Sequence, residues 1–345
     1  MIETIFEHPE FDRHEQVVFC HDAASGLHAI IALHDTYLGP ALGGTRVWTY
    51  ASPAEAVTDV LRLSRGMTYK NALAGLDSGG GKAVILLPSR DAKTAAMIEA
   101  FGRYVGTLGG RYVTAKDVGI TSADLELILA QTPHVAGVGP NGAGDPSPHT
   151  AVGIVAGIRA ALAHVFGSPD PTGRHVAIQG VGAVGLGVAT LLKQAGARLT
   201  ISDIHDHHVV RAVEAVGADV VGSDAVHRVE ADVFSPCALG AVLNEASIPE
   251  LGAPIVAGGA NNQLATPEDG RRLAERGILY APDYAINAGG VISLSFPAGA
   301  EPAAINARLK GIGDTLSEIF RRAEADGATT ADVADRMAEE RFRPA

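Results

Sequence analysis

The most constraining feature of this chain is a short stretch in its second half. From Arg174 the sequence runs HVAIQ, then Gly180-Val181-Gly182-Ala183-Val184-Gly185, then LGVATLLKQAG, then ARLTISD. An apolar run, a glycine turn, a segment of helical period and a second apolar run describe a strand–turn–helix–strand unit with parallel strands. The first glycine permits the tight turn, the second lets backbone approach a pyrophosphate, and the third lets the helix pack on the strand. An anion resting on that helix N-terminus is favoured by free N–H groups and the macrodipole. Asp203 closes the second apolar run, about 20 residues on, where a carboxylate takes the ribose diol of a dinucleotide. An acid there repels a 2′-phosphate, so the expected cofactor is NAD rather than NADP. The bland alternative is a glycine turn in a nucleotide-free sheet.

A second segment, Gly137-Val138-Gly139-Pro140-Asn141-Gly142, repeats the spacing. It lies in a Gly/Pro loop, Pro140 interrupts it and no strand-then-acid follows, so it is set aside as a decoy. Short apolar runs at 219–221, 232–235, 254–258 and 278–280 extend the alternation of strands and helices, which implies a parallel, doubly wound sheet. Upstream, residues 16–34 read as a hairpin around Ala24-Ser25-Gly26. Ser52-Pro53-Ala54-Glu55 is a capping box, and apolar spacing predicts a helix from Pro53 to about Thr68. Residues 83–87 and 111–115 read as strands, and 94–107 and 151–166 as helices.

A chain of 345 residues suits two domains of roughly 150 residues each. The fold class expected is α/β, with an N-terminal α/β substrate domain over 1–145, a Rossmann-type doubly wound NAD-binding domain over 146–290, and a cleft separating them. The C-terminal helices, 291–345, are expected to pack back on the first domain.

Composition excludes other classes. The formal net charge is −12 with no compensating basic run, which disfavours nucleic acid and anionic lipid. Cys20 and Cys237 form neither a disulfide framework nor a metal spacing, as a reducing cytoplasm allows. The start, MIETIFEHPEFDRHE, has no secretory h-region. No apolar stretch free of glycine or proline is long enough to span a bilayer.

Lys70 and Lys82 flank Asn71-Ala72-Leu73-Ala74-Gly75-Leu76-Asp77-Ser78-Gly79-Gly80-Gly81. A lysine in a low-dielectric site has its pKa pushed down, as a general base near neutral pH requires. The glycines are expected to let a substrate approach the backbone beside Lys82. This is not a phosphate-binding P-loop, because Leu76 and Ala83 replace the required glycine and hydroxyl residue. Two solvated lysines remain the plain alternative. Asp117 follows an expected strand and either faces a site or caps a turn.

Longer segments carry a resemblance. His14–Cys20, Gly39-Pro40-Ala41-Leu42-Gly43-Gly44-Thr45-Arg46, Gly66-Met67-Thr68-Tyr69-Lys70-Asn71-Ala72, Gly79-Gly80-Gly81-Lys82, Cys237-Ala238-Leu239-Gly240 and Ala281–Val291 together resemble the Glu/Leu/Phe/Val dehydrogenase family over nearly the whole chain, most of all its leucine and valine members. The resemblance implies NAD-dependent deamination of an L-amino acid to its 2-oxo acid and ammonia, with L-leucine favoured, valine and isoleucine close, and phenylalanine or a non-catalytic NAD-binding protein as alternatives.

On that resemblance Lys82 would polarise the carbonyl and activate water, and Asp117 would shuttle a proton to and from the substrate nitrogen. Lys70, Gly43 and Asn287 would hold the substrate, Lys70 and Asn287 at its carboxylate. Leu42, Ala115, Val291 and Leu294 would form its side-chain pocket. Arg46, Thr150, Ala238, Asn261 and Asn262 would join Gly180, Val181, Gly182, Ala183, Val184, Gly185, Leu186 and Asp203 around the cofactor. Four apolar pocket residues argue against glutamate, whose distal carboxylate needs a cationic partner. Ser293-Leu294-Ser295-Phe296-Pro297 departs from the family's polar continuation and leaves one pocket wall open. His205-Asp206-His207-His208 suggests a solvated turn rather than a metal site, or else contact with a 2′-phosphate. No metal is expected. Trp48 reads as a packing residue and the cysteines as small buried ones. The partners implied are the amino acid, its 2-oxo acid, ammonia and further copies of the chain, from dimer to octamer, with no nucleic acid and no membrane.

Overall fold

The computed structural model describes residues 4–138, 145–238, 240–296 and 299–344. Most of the decoy glycine loop, Leu239 and Pro297 lie outside the described residues. The chain divides into two compact units. The first comprises Met1–Gly144, Pro297–Gly299 and Ala338–Ala345; the second comprises Asp145–Phe296 and Ala300–Met337.

In the first unit β1 (Gln16–Asp22) and β2 (Leu27–Asp35) form the expected hairpin. Then come β3 (Ala41–Trp48), α1 (Pro53–Leu73), β4 (Gly79–Leu86), α2 (Ala95–Thr107), β5 (Tyr112–Lys116) and α3 (Ser122–Leu129). The sheet order is β1-β2-β4-β3-β5. β2 meets β1 and β4 antiparallel, whereas β3 runs parallel to β4 and β5. Successive side chains alternate between the two faces. Ile31, Leu33, Ala83 and Ile85 pack with Phe101, Val105, Leu125 and Ile128 on the face covered by α2 and α3. Ile30, Ala32 and Val84 pack with Ala56, Val60 and Leu61 of α1 on the other. Lys82, two residues before Val84, shares the α1 face.

The sequence places the end of α1 near Thr68; it continues to Leu73, because Lys70, Asn71 and Ala72 keep the helical period until Gly75 turns the chain at φ +70°. β4 starts four residues before the expected strand. The triple glycine is strand, not loop, and its smallness serves packing. A Cβ at Gly79 would lie 1.9 Å from Asp35 O, at Gly80 2.0 Å from Thr68 N, and at Gly81 2.9 Å from Tyr112 Cδ2. β2, α1 and β5 approach only because no side chain is present there.

The second unit contains α4 (Ser147–Phe166), β6 (His175–Gln179), α5 (Ala183–Gln194), β7 (Arg198–Ser202), α6 (Asp206–Val216), β8 (Asp219–Val220), β9 (Val233–Pro236), β10 (Ile255–Val256), α7 (Glu268–Glu275), β11 (Leu279–Tyr280), α8 (Asp283–Ile286), α9 (Gly289–Ser295) and α10 (Pro302–Asp326). Its sheet is wholly parallel in the order β11-β10-β9-β6-β7-β8, the doubly wound pattern expected.

Of the C-terminal residues expected to pack back on the first domain, Ala338–Ala345 fall in the first unit and Ala300–Met337 in the second. α10 lies within the second unit, because its apolar stripe Leu309, Ile312, Leu316, Ile319 and Phe320 fits a helix of small residues. Ile312 Cδ1 and Leu316 Cδ1 would lie 2.6 and 2.7 Å from a Cβ at Gly153 and Gly157 of α4. α11 (Thr330–Phe342) crosses the division. Its last residues join the first unit, where Glu339 accepts a 2.7 Å bond from the Tyr69 hydroxyl and Phe342 is buried against Tyr69 and His34. α4 is also the one described helix long and apolar enough to cross a membrane, but Pro148, Gly153, Gly157 and Arg159 interrupt its apolar run, in keeping with the sequence expectation. It is packed against α5, α9 and α10.

Two glycines of α1 and β4 should respond oppositely to alanine. Gly80→Ala forces α1 off β4 and should cost about 1–3 kcal/mol. Gly66 is exposed, lies inside α1 and has open space around its Cβ position, so Gly66→Ala should add up to ~1 kcal/mol. Urea denaturation of the two variants checks both signs.

Candidate active site

In the first unit β4 delivers Lys82, β3 delivers Arg46, and the turn after β5 delivers Asp117. Lys82 is only 6% exposed, so the solvated-lysine alternative does not apply to it. Its Nζ pairs with Asp117 Oδ2. The turn bearing Asp117 is fixed at several points. Ile120 N donates to Asp117 O (3.1 Å), Val47 N donates to Val118 O (2.8 Å), and Lys93 Nζ donates to Gly119 O (2.9 Å) and Asp124 Oδ2 (2.6 Å). Gly119 has φ +80° and a Cβ there would lie 2.5 Å from Val47 O, so glycine is needed for this turn.

A buried charge must be matched or it neutralises. Burial pushes the Asp117 carboxyl up, but the Lys82 ammonium, its hydrogen bond and the Arg46 guanidinium outweigh burial and hold it below the ordinary value. Arg46 Nε stands 3.7 Å from Asp117 Oδ2, while its Nη1 donates to both oxygens of Asp59 on α1, at 3.1 and 2.9 Å. The Tyr50 hydroxyl donates to Asp59 Oδ2 at 2.6 Å. Sequence reasoning assigned Arg46 to the cofactor and missed Asp59 and Tyr50. The signal available was helical spacing, which puts Asp59 one turn after the buried Ala56 on the helix that covers β3 and β4.

Lys70 lies half-buried on the last turn of α1. That turn is anchored to the sheet, since Asn71 Nδ2 donates to Gly79 O (2.6 Å) and Leu42 O (3.3 Å). Leu42 and Ala115 are buried at 5% and 3% exposure on adjacent strands β3 and β5. Gly43 accepts a 2.7 Å bond from the Tyr112 hydroxyl.

In the second unit the glycine turn joins β6 to α5. Gly180 has φ +87° and a Cβ there would meet Ala238 Cβ at 2.7 Å. At Gly182, the N-cap of α5, a Cβ would meet nothing within 4 Å, whereas at Gly185 it would lie 1.9 Å from Gly180 O. The first and third glycines are thus closed by the protein and the second faces open space. That asymmetry fits a loop that cradles a phosphate group. Val181 is buried, Ala183 is exposed, Val184 and Leu186 are half-buried, and Leu186 N closes the helix on Gly182 O at 2.9 Å.

Asp203 follows β7. Its carboxylate accepts from Val181 N (2.8 Å), His205 N (2.9 Å) and His208 Nδ1 (3.2 Å). Burial raises it, but the bonds from His205 N, Val181 N and His208 hold it below its ordinary value. His205 stands at the N-cap position of α6 without a side-chain capping bond, and Asp206, His207 and His208 form the helix's first turn rather than a loop turn. No group of three or more His, Cys, Asp and Glu among the described residues is arranged to hold a metal.

Asn287, Asn261, Asn262, Thr150, Val291 and Leu294 also belong to the second unit. Asn287 Nδ2 donates to Asn261 Oδ1 (2.8 Å) and Gly259 O (3.3 Å), leaving its buried Oδ1 without a hydrogen-bond partner. Asn262 has φ +52°. Thr150 Oγ1 donates to Pro146 O at 3.0 Å. Val291 is 9% exposed and Leu294 half-buried. Cys20 and Cys237 are free thiols, and burial pushes both up, away from reactivity. Trp48 is 45% exposed at the end of β3, where alternation puts Val47 in the core.

Comparison with known proteins identifies the family. Residues 14–134 match the family model for the Glu/Leu/Phe/Val dehydrogenase dimerisation domain, and residues 204–339 match that for Glutamate/Leucine/Phenylalanine/Valine dehydrogenase. The chain is 48% identical to leucine dehydrogenase of Geobacillus stearothermophilus, over 98% of this chain and 93% of that one. It is 48% identical to valine dehydrogenase of Streptomyces coelicolor, over 100% of this chain and 96% of the other. The crystal structure of L-tryptophan dehydrogenase from Nostoc punctiforme superposes with a TM-score of 0.85 at 42% identity, covering 96% of this chain and 95% of that one. With a buried Lys–Asp pair in its first unit and a dinucleotide-type glycine turn in its second, this chain belongs to the Glu/Leu/Phe/Val dehydrogenase family and is an amino-acid dehydrogenase.

Proposed function

We propose that the protein catalyses reversible, NAD-dependent oxidative deamination of a branched-chain aliphatic L-amino acid, L-leucine first and L-valine and L-isoleucine close behind. The observation that carries this reading is the buried Lys82–Asp117 pair with Arg46 beside it. An acid–base couple of opposite charge, sequestered from water, is what proton transfer to and from an amino nitrogen requires.

The residues that would hold the cofactor are Gly180 to Leu186, Asp203, Ala238, Arg46, Thr150, Asn261 and Asn262, with Asp203 on the ribose diol. NAD, when bound, supplies the acceptor for the electron pair of the substrate Cα–H bond. The chain's own residues manage protons and position. Lys70 grips the substrate carboxylate by charge, with Gly43 beside it. Asn287 assists by turning its Nδ2 from Asn261 and Gly259 to the carboxylate. Asp117 takes the proton from the substrate ammonium and later returns one to the departing nitrogen. Lys82 polarises the carbon being oxidised and takes the proton of the water that adds to it. The balance is one amino acid, one water and one NAD⁺ consumed, and one 2-oxo acid, one ammonium ion, one NADH and one proton released.

On this reading Leu42 and Ala115 of the first unit would offer the side chain an apolar surface, as Val291 and Leu294 of the second would. One methylene in such a pocket is worth only about 1–3 kcal/mol, so leucine, valine and isoleucine should all be accepted. NADH formation from a panel of L-amino acids at alkaline pH tests the reading. The aliphatic branched residues should react fastest and glutamate should be inert. A panel led by tryptophan or phenylalanine would move the assignment to an aromatic substrate, the specificity named for the Nostoc punctiforme relative. No NADH from any amino acid would refute it.

Asp203→Ala should weaken NAD binding and narrow the preference for NAD over NADP by roughly tenfold, the value of about one charge-assisted contact. An unchanged ratio of the two dissociation constants would remove Asp203 from this role. We further place the protein in the cytoplasm, where its two free thiols stay reduced, as a homo-oligomer assembled through the first unit. Light scattering should give more than one chain mass.

A further inference from the structure

The Asp117 site contains a feature that proton transfer alone does not explain. Arg46 Nε is buried and has no hydrogen-bond partner, and the acceptor it faces, Asp117 Oδ2, is 3.7 Å away. A guanidinium N–H and a carboxylate oxygen normally close to about 2.7–2.9 Å. Here the arginine is held elsewhere. Its Nη1 is shared by both oxygens of Asp59, and Asp59 is itself oriented by the Tyr50 hydroxyl. Asp59 and Arg46 are each 26% exposed, so their attraction is only partly screened by water.

We propose that Asp59 is a positioning residue that restrains Arg46 from closing on Asp117, and thereby keeps Asp117 basic enough to take the proton of the substrate ammonium. The inference rests on the deaminase reading. It explains why one carboxylate is served by two cations of different kinds. Lys82 moves protons, so its charge changes during turnover. Arg46 never loses its charge and stabilises Asp117 as an anion when Lys82 is neutral. Full contact with Arg46 would bind that anion too well to accept a proton. Asp59 competes for the guanidinium and sets an intermediate distance. The other groups facing Asp117 are Tyr50 and Tyr112, whose phenols are pushed up by burial first and also by the Asp117 charge; they stay neutral and do not alter this balance.

The test is Asp59→Asn, which keeps the shape and removes the charge. Closing Arg46 from 3.7 Å to hydrogen-bond distance should lower Asp117 by about one pH unit. Near neutral pH, where the substrate carries its proton, kcat/KM for deamination should fall about tenfold relative to the parent. The deficit should close at strongly alkaline pH, where the substrate amine is already neutral. A loss that is the same at every pH would mean that Asp59 is merely structural, and no loss would also overturn the proposal. In an Arg46→Gln background, Asp59→Asn should do nothing further; additive losses would contradict it. Without substrate or cofactor, the 13C-labelled Asp117 carboxyl should titrate lower in Asp59→Asn, and an unmoved midpoint counts against the proposal. If Asp59→Asn does not fold, Tyr50→Phe should give the same pH-dependent deficit at smaller amplitude, and a flat profile there overturns it. Failure of the parent protein to deaminate any amino acid would instead refute the deaminase reading, so the two failures are distinct.

Discussion

A buried lysine and the half-buried aspartate that it faces are the constraint on which this structure depends. Lys82 carries a charge that the interior would expel if Asp117 were missing, because an unpaired buried ion costs several kcal/mol. The two residues come from β4 and from the turn after β5, and β3 lies between those strands. The pair therefore forms only if three strands keep their register. Arg46, from the strand between them, and Asp59, from the helix above, complete an alternating run of positive and negative groups. Alternation spreads the desolvation cost, since each charge has an opposite neighbour.

The close packing that holds this run is made by residues without side chains. Gly79, Gly80 and Gly81 let β2, α1 and β5 approach β4 at distances that no Cβ would tolerate. The second unit uses glycine in the same way between α4 and α10, and differently in its nucleotide-type turn, where Gly182 leaves space open to solvent. A glycine closed in by its neighbours is a packing device, whereas open space at the N-terminus of α5 fits a glycine kept for a ligand rather than for packing.

Much of this was legible in the sequence, for identifiable reasons. Periodicity gave the β1–β2 hairpin, the start of α1 at its Ser52 cap and the β6–α5–β7 unit, because these are local patterns with a period or a cap. The glycine turn and Asp203 could be read together because their spacing follows from one strand–helix–strand unit. Lys82 and Asp117 could be singled out, but the residues alone left solvated lysines and a turn acid as alternatives. Only tertiary burial decides between them. The strand character of Gly79–Gly81 was illegible, since glycine carries no β signal and its role lies in what approaches it. The place of α10 was missed because an amphipathic helix states which face it buries and not against what. Asp59 and Tyr50 were missed because helical spacing marks the face of α1 that carries Asp59 but not the partners it meets across the sheet–helix interface.

The central claim, that Lys82 is the acid–base lysine of an amino-acid dehydrogenase, is tested most directly by removing that one amine and measuring two quantities on the same protein. In Lys82→Ala, NAD binding measured by calorimetry should stay within a few-fold of the parent, since the glycine turn and Asp203 are untouched. Deamination of L-leucine should fall by roughly a thousandfold or more, beyond the middle of the range for loss of a general acid–base group. Near-parental turnover in that variant would contradict the account.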